Sequence, residues 1–136
     1  MKLRLEIVTP EKVVLSEEVD SVTIPTKSGE ITVLPEHEDL IAQLGSGELV
    51  YRKGGKETLI AITGGVLEIN GENLTLLAEH AISPQDIQVS IAKEARERAE
   101  KLMRENLNEH DLRMAEAEQR KALLELKIAE KYRKKI

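Results

Sequence analysis

The stretch from Thr63 to Ala81, TGGVLEINGENLTLLAEHA, limits what this chain can fold into more than any other. Its pattern is that of a β-hairpin. Val66, Leu67 and Ile69 form one apolar arm, and Leu74, Leu76, Leu77 and Ala78 form the other. Asn70-Gly71-Glu72-Asn73 lies between them and supplies residues that tolerate the positive φ of tight turns. Gly64-Gly65 falls where a strand must bend or pass close to another backbone, because a Cβ there would clash. The hairpin closes a β-rich first part, and a helix start signal follows within a few residues.

Upstream of the hairpin the chain reads as short strands. Leu3, Leu5 and Ile7 alternate with Lys2, Arg4 and Glu6, which predicts one buried face. Thr9-Pro10-Glu11 turns the chain into the apolar arm Val13-Val14-Leu15. A strand over Val19 to Ile24 is expected to end at Pro25, and one over Glu30 to Leu34 at Pro35. Leu40 to Leu44 is a short apolar segment. Gly45-Ser46-Gly47 precedes a strand over Glu48 to Arg52, and Lys53-Gly54-Gly55-Lys56 is a hairpin turn. Leu59 to Thr63 is apolar on both faces, so a central position is expected. Turn signals about every 8–12 residues predict an antiparallel sandwich or barrel over residues 1–83.

The character changes at Ser83. Ser83 is placed to cap a helix, Pro84 suits its first position, and Asp86 stands where a capping-box acid belongs. Ala92, Ala95, Ala99 and Leu102 form a heptad seam on a helix predicted to reach about Leu107. Asn108-Glu109-His110-Asp111 repeats the start signal. A second seam runs through Leu112, Ala115, Gln119, Ala122, Leu126 and Ala129. Residues 84–136 therefore read as two helices of about 20 residues each, joined as an antiparallel hairpin.

Composition excludes several classes. There is no Cys, Phe or Trp, and Tyr51 and Tyr132 are the only aromatic residues, so the core is aliphatic. No disulfide scaffold, thiolate metal site or Cys nucleophile is available. No apolar run approaches the roughly 20 residues of a membrane span, so direct membrane insertion is not expected. Residues 1–84 hold 7 basic and 14 acidic residues, whereas residues 85–136 hold 13 basic and 11 acidic. An acidic part and a mildly basic part imply two kinds of contact. Neither has the basic, aromatic-interleaved character of a nucleic-acid surface.

The motif GG-V-LEI, a turn, and LTLLAE-A resembles the hairpin of the epsilon subunit of F-type ATP synthases. The likeness extends to the opening I-V-T-P-E-K and to Thr26-Lys27-Ser28-Gly29-Glu30 with Val33-Leu34-Pro35 and His37. Thr32 and Glu38-Asp39 depart from the family pattern, and the Glu38-Asp39 pair makes that loop more acidic. The resemblance covers essentially the whole chain. It implies ten strands in two five-stranded sheets, followed by the two-helix hairpin, in a non-catalytic subunit of the rotary stalk.

The resemblance further implies that the sandwich grips the gamma subunit and rests on the membrane rotor ring of c subunits. The ring contact is expected at Ser28, Gly29, Glu30 and His37. The helices are expected to regulate ATP hydrolysis by meeting the beta and alpha subunits of the catalytic head. A basic stripe, Arg113, Arg120, Lys127, Lys131 and Lys134, is the surface for that contact. A position peripheral to the cytoplasmic face of the cell membrane, or to the corresponding face of a thylakoid, follows from the same likeness. Relatives that sense ATP begin the first helix with I/L-D-x-x-R-A. Here Gln88 and Ile91 replace the Asp and the Arg, so no cofactor or tight nucleotide site is expected.

Each of these residues also has a plainer reading. Glu30 can be a solvated strand-end carboxylate, and His37 can order its own loop. The stripe can be a solvated face paired locally, Arg113 with Glu116 and Lys127 with Glu130. His37, His80 and His110 are too scattered to form a metal or catalytic set. Gly54-Gly55 and Gly64-Gly65 lack the helix start and Lys-Ser/Thr pair of a phosphate loop. The rival of a different class is a freestanding β-sandwich adaptor with a helical protein-binding arm.

Overall fold

The computed structural model describes residues 2–105 and 107–135, the side chains of 133–135 excepted, so Lys134 of the stripe lies outside the described side chains. The chain divides into two compact units, Met1–Ser83 and Pro84–Ile136.

Among the described residues the first unit is a β-sandwich of eight strands: β1 (Leu3–Val8), β2 (Val13–Val19), β3 (Ser21–Thr26), β4 (Gly29–Val33), β5 (Leu40–Gln43), β6 (Ser46–Lys53), β7 (Lys56–Asn70) and β8 (Asn73–Ile82). They form one hydrogen-bonded sheet ordered β2-β1-β8-β7-β6-β3-β4, with β5 paired to β7. The sheet folds on itself at Gly64-Gly65. On one side of that bend β7 pairs with β6 and with Ala61-to-Thr63 partners on β8; on the other it pairs with β5 and with the first half of β8. One layer is thus β2-β1-β8-β7-β5 and the other β8-β7-β6-β3-β4. Two five-stranded layers are present, as expected, but ten strands are not. The 15-residue β7 and the 10-residue β8 each run through both layers, so eight strands suffice.

The alternation read from the sequence sets the inward faces. Leu3, Leu5 and Ile7 of β1, Leu67 and Ile69 of β7, and Leu74 and Leu76 of β8 are buried in one layer. Val22, Ile24, Val33, Leu49, Tyr51, Ile60 and Ile62 face them from the other, completing a single core that is aliphatic apart from Tyr51. Pro25 does not end its strand. It pairs with Glu30, and its carbonyl accepts from Gly45 N at 3.0 Å. The break comes at Asp20, where the chain crosses from one layer to the other.

That crossing is pinned by polar contacts. The Asp20 carboxylate accepts from Lys2 Nζ and from Gly54 N at 2.9 Å, and its pKa is lowered, chiefly by the Lys2 hydrogen bond. Glu17 falls at an inward register position on the edge strand β2 and pairs with Lys53 of β6 at 2.9 Å. The Glu17 hydrogen bond raises the Lys53 pKa. An inward charge on an edge strand discourages unwanted strand addition.

The second unit begins with a 3₁₀ turn, Pro84–Asp86, followed by α1 (Val89–Met103) and α2 (Glu109–Lys135). The expected cap at Ser83 is absent. Ile87 N donates to Pro84 O, the 3₁₀ turn ends there, and α1 starts after Gln88, which makes no side-chain cap bond. α1 stops at Met103 rather than near Leu107, and α2 is 27 residues long. The second start signal works as read. Asn108 Oδ1 accepts from Asp111 N at 2.8 Å, and Asn108 Nδ2 donates to the Asp111 carboxylate at 3.0 Å. Ala92, Ala99, Ala115, Ala122 and Ala129 of the two seams are buried, with Ile128 beside them. Arg98 of α1 and Glu118 of α2 pair at 2.8 Å across the hairpin.

Candidate functional site

No convergent catalytic geometry emerges from the described residues, and no three His, Asp or Glu side chains among them are grouped to hold a metal ion. The candidate sites are surfaces.

The first is the β3–β4 turn. Thr26 Oγ1 donates to Gly29 O and accepts from Ser28 N at 3.2 Å, which fixes a tight turn through Lys27 and Ser28. Gly29 has φ 120°, a backbone region that side chains disfavour. Ser28, Gly29 and Glu30 are all exposed and held together by this turn. Lys27 N donates to Gln43 O at 3.1 Å, tying the turn to the end of β5. Thr26 stands in the family-like motif with no role assigned there; a Thr three residues before a Gly in a strand–turn–strand pattern is the sequence signal for its turn-closing hydrogen bonds.

His37 stands apart from those three. It lies in the β4–β5 loop, beyond the other end of β4. His37 N donates to Leu34 O at 3.2 Å, and Glu36 has φ 70°, so Leu34-Pro35-Glu36-His37 is a turn with Pro at its second position. His37 Nδ1 lies 2.8 Å from Glu38 O, the loop-ordering hydrogen bond expected of the plainer reading. Leu34 is left exposed at the tip.

The third surface was not anticipated. On the outer face of the first layer, Val13 of β2 pairs with Val8 of β1, Val8 with Leu77 of β8, and Leu77 with Val66 of β7. Ile41 of β5 opposes Glu68 beside them. Val13 is 58%, Leu77 58% and Val66 41% exposed, with Val8 half-buried between them, so an apolar row crosses four strands. On β5 the partner of Val66 is Gln43, and Ile41, 72% exposed, lies two residues along from it. Scattered exposed apolar residues are ordinary, but a contiguous row on one sheet face marks an interaction surface. Its sequence signal is the doubled apolar residues Leu76-Leu77 and Val66-Leu67, where strict alternation would have placed a polar residue.

On the helices, Arg113, Arg120, Lys127 and Lys131 are exposed. Arg113 pairs with Glu109 at the i, i+4 spacing, not with Glu116 as the local-pairing reading had it. Glu109 is in the first turn of α2, where a carboxylate also meets the favourable end of the helix dipole. Gln88 and Ile91 lie at the start of α1, and Ile91 is exposed. No described helix is long and apolar enough to cross a membrane.

The family model described as "ATP synthase, Delta/Epsilon chain, beta-sandwich domain" matches residues 2–84. The ATP synthase epsilon chain of Syntrophobacter fumaroxidans is 45% identical over 130 residues, covering 96% of this chain and 97% of its own. That of Herpetosiphon aurantiacus is 43% identical over 129 residues, 95% of each chain. Among solved structures, a chain of the Euglena gracilis mitochondrial ATP synthase, OSCP/F1/c-ring in rotational state 1, superposes with a TM-score of 0.74 at 25% identity, covering 88% of this chain and 76% of that one. A chain of the Tetrahymena thermophila mitochondrial ATP synthase central stalk/c-ring shares the fold, with a TM-score of 0.62 at 16% identity over 95% and 97% of the two chains. With the sandwich matched by the family model and the helices included in the full-length relatives, this chain belongs to the ATP synthase epsilon family.

Proposed function

We propose that this chain is a non-catalytic rotor subunit of a proton-translocating ATP synthase. It sits in the central stalk, peripheral to the membrane, and links the gamma subunit to the ring of c subunits. The observation that carries this reading is the exposed apolar row Val13–Val8–Leu77–Val66. A sandwich that left it in water would be prone to association, so it calls for a permanent partner, and the gamma subunit is the partner the family membership supplies. The turn at Ser28, Gly29 and Glu30 and, beyond the other end of β4, the loop carrying His37 are two separate points of contact with the ring. Their carboxylates steer approach to a polar or basic ring loop more than they add affinity. The helical hairpin, through its basic stripe, restrains ATP hydrolysis by contact with the beta and alpha subunits.

Affinity purification of the tagged chain from solubilised membranes tests the assignment. The gamma subunit should co-purify, and Val66→Lys with Leu77→Lys should abolish that while leaving the chain folded. Recovery of a stable complex without gamma would favour the freestanding adaptor instead. For the ring surface, Glu30→Lys combined with His37→Ala should weaken ATP-driven proton pumping in membrane vesicles. Unchanged pumping would remove these residues from the ring contact. Nucleotide is not part of this function, because Gln88 and Ile91 offer no charge to a phosphate, and calorimetry with ATP should register no micromolar binding.

A further inference from the structure

Asn70-Gly71 is the one Asn-Gly pair in the chain; Asn73, Asn106 and Asn108 are followed by Leu, Leu and Glu. It forms the tip of the β7–β8 hairpin. Asn70 closes β7 by pairing with Asn73, and Gly71 turns the chain with φ 64°. Both residues are exposed, and a Cβ on Gly71 would meet nothing within 4 Å, so no neighbour crowds that side of the turn. An asparagine followed by glycine is the arrangement most open to attack by its own backbone, because no side chain shields the next nitrogen. The Gly71 nitrogen is nevertheless engaged. It donates to Asp39 Oδ1 at 3.0 Å, a contact between residues 32 apart in sequence that ties the β4–β5 loop to the hairpin tip. Asp39 is exposed and has no ion pair among the described residues, so no neighbouring cation neutralises its charge.

We propose that Asn70 is a site of spontaneous deamidation and that Asp39 restrains the reaction. The Gly71 nitrogen attacks Asn70 Cγ. The N–Cγ bond forms, the Cγ–Nδ2 bond breaks, and the Gly71 proton leaves with the side-chain nitrogen as ammonia. Water then adds to either carbonyl of the cyclic imide and opens it to aspartate or isoaspartate. The attacking nitrogen must give up its proton, and Asp39 opposes that in two ways. A charge-assisted hydrogen bond has to break before the nitrogen turns towards Cγ. The nitrogen anion would also form beside a like charge, which disfavours it. Pairing with Asn73 adds a geometric restraint by holding the Asn70 backbone extended against ring closure. The product acts on the fold in turn. An acid at position 70 puts a second negative charge beside Asp39 and weakens the tie between the loop and the hairpin. Isoaspartate also inserts an extra carbon into the main chain, which disturbs the register at the end of the ladder.

The test follows deamidation of the full chain in mildly alkaline buffer by peptide mapping, which separates asparagine, aspartate and isoaspartate at position 70. In the chain unfolded by denaturant, Asn70 should react fastest of the four asparagines. In the folded chain it should react at least about tenfold more slowly than that. Asp39→Ala should raise the folded rate by about tenfold, and Asp39→Asn, which keeps an acceptor without the charge, by about threefold. Hydrogen exchange of the Leu40 to Gln43 amides should match the wild type, so that a frayed β5 is not mistaken for a lost carboxylate. Should β5 fray in Asp39→Ala, the isosteric Asp39→Asn decides the matter. Asn70→Asp, which mimics one product, should speed exchange of the Gly71 amide. If Asp39→Asn deamidates as slowly as the wild type, the ladder alone protects Asn70 and the role of Asp39 is wrong. If Asn70 reacts no faster than Asn73 in the unfolded chain, the site itself is wrong.

Discussion

Gly65 of β7 and Leu77 of β8 approach so closely that a Cβ on Gly65 would lie 2.1 Å from the Leu77 carbonyl oxygen. Gly65 also has φ 120°, and Gly64 before it has φ 65°. Here one strand passes from one layer of the sandwich to the other without losing its partner. Gly65→Ala combines a backbone clash with a disfavoured φ and should destabilise the chain by about 3 kcal/mol or more. Denaturant unfolding followed by circular dichroism would measure it, and a loss under about 1 kcal/mol would show that the ladder relaxes around the added methyl group.

The turn at Leu34 to His37 carries the opposite kind of residue. Glu36 has φ 70° where glycine is at ease. Glu36→Gly should therefore stabilise the sandwich by about 0.5–1 kcal/mol, since relief of strain outweighs the extra freedom of the unfolded chain. A lower melting temperature for the variant would contradict this.

Two helix start signals with similar sequences differ in structure, and so should their variants. Asn108→Ala removes a working cap and should cost about 1 kcal/mol. Ser83→Ala removes a side chain that caps nothing and should stay within about 0.5 kcal/mol. Comparing the two melts decides whether geometry or pattern governs these ends.

Asp20 gives a pH dependence of definite sign. Its folded pKa is lowered by Lys2, Gly54 N and local charge, so its contribution is present above the unfolded value of about 3.9 and is lost as pH falls through the folded value. Asp20→Asn should lower stability at neutral pH, and the gap from the wild type should close in acid below about pH 4. Because Lys2 and Asp20 are both well exposed, salt should narrow the same gap. A difference independent of pH would assign the effect to the crossing's shape rather than its charge.

The hairpin is suited to two states. Its buried seam is mostly alanine, which buries little area, while α2 has its own cap at Asn108. α1 is shorter and has no side-chain cap, so it is the 27-residue α2 that can leave the weakly docked seam without melting. Deleting Asp111 to Ile136 should leave assembly on gamma intact and raise ATP hydrolysis. Reversing Arg113, Arg120 and Lys127 to Glu should relieve inhibition by roughly threefold to a hundredfold, from about 0.2–1 kcal/mol per exposed pair. Hydrolysis unchanged by both would make the hairpin a static brace.

The sequence by itself determined the elements and their inward faces. Alternation in β1 and around Leu67 and Leu74, the turn at Asn70 to Asn73, and the alanine heptads are local patterns, and local chemistry is enough to write them. It also carried the family likeness, through the glycine pair and the LE-x-N-G hairpin. What it could not say was which strands are shared. That β7 and β8 serve both layers depends on a bend whose partners lie far apart in the chain. The same holds for the outer surface. Val66, Leu77, Val8 and Val13 each look like ordinary strand residues, and only the register of four strands lines them into one exposed row. Ser83 shows the converse: a good local start signal lost to a 3₁₀ turn at Pro84, because helix ends are decided by where the backbone hydrogen bonds find partners.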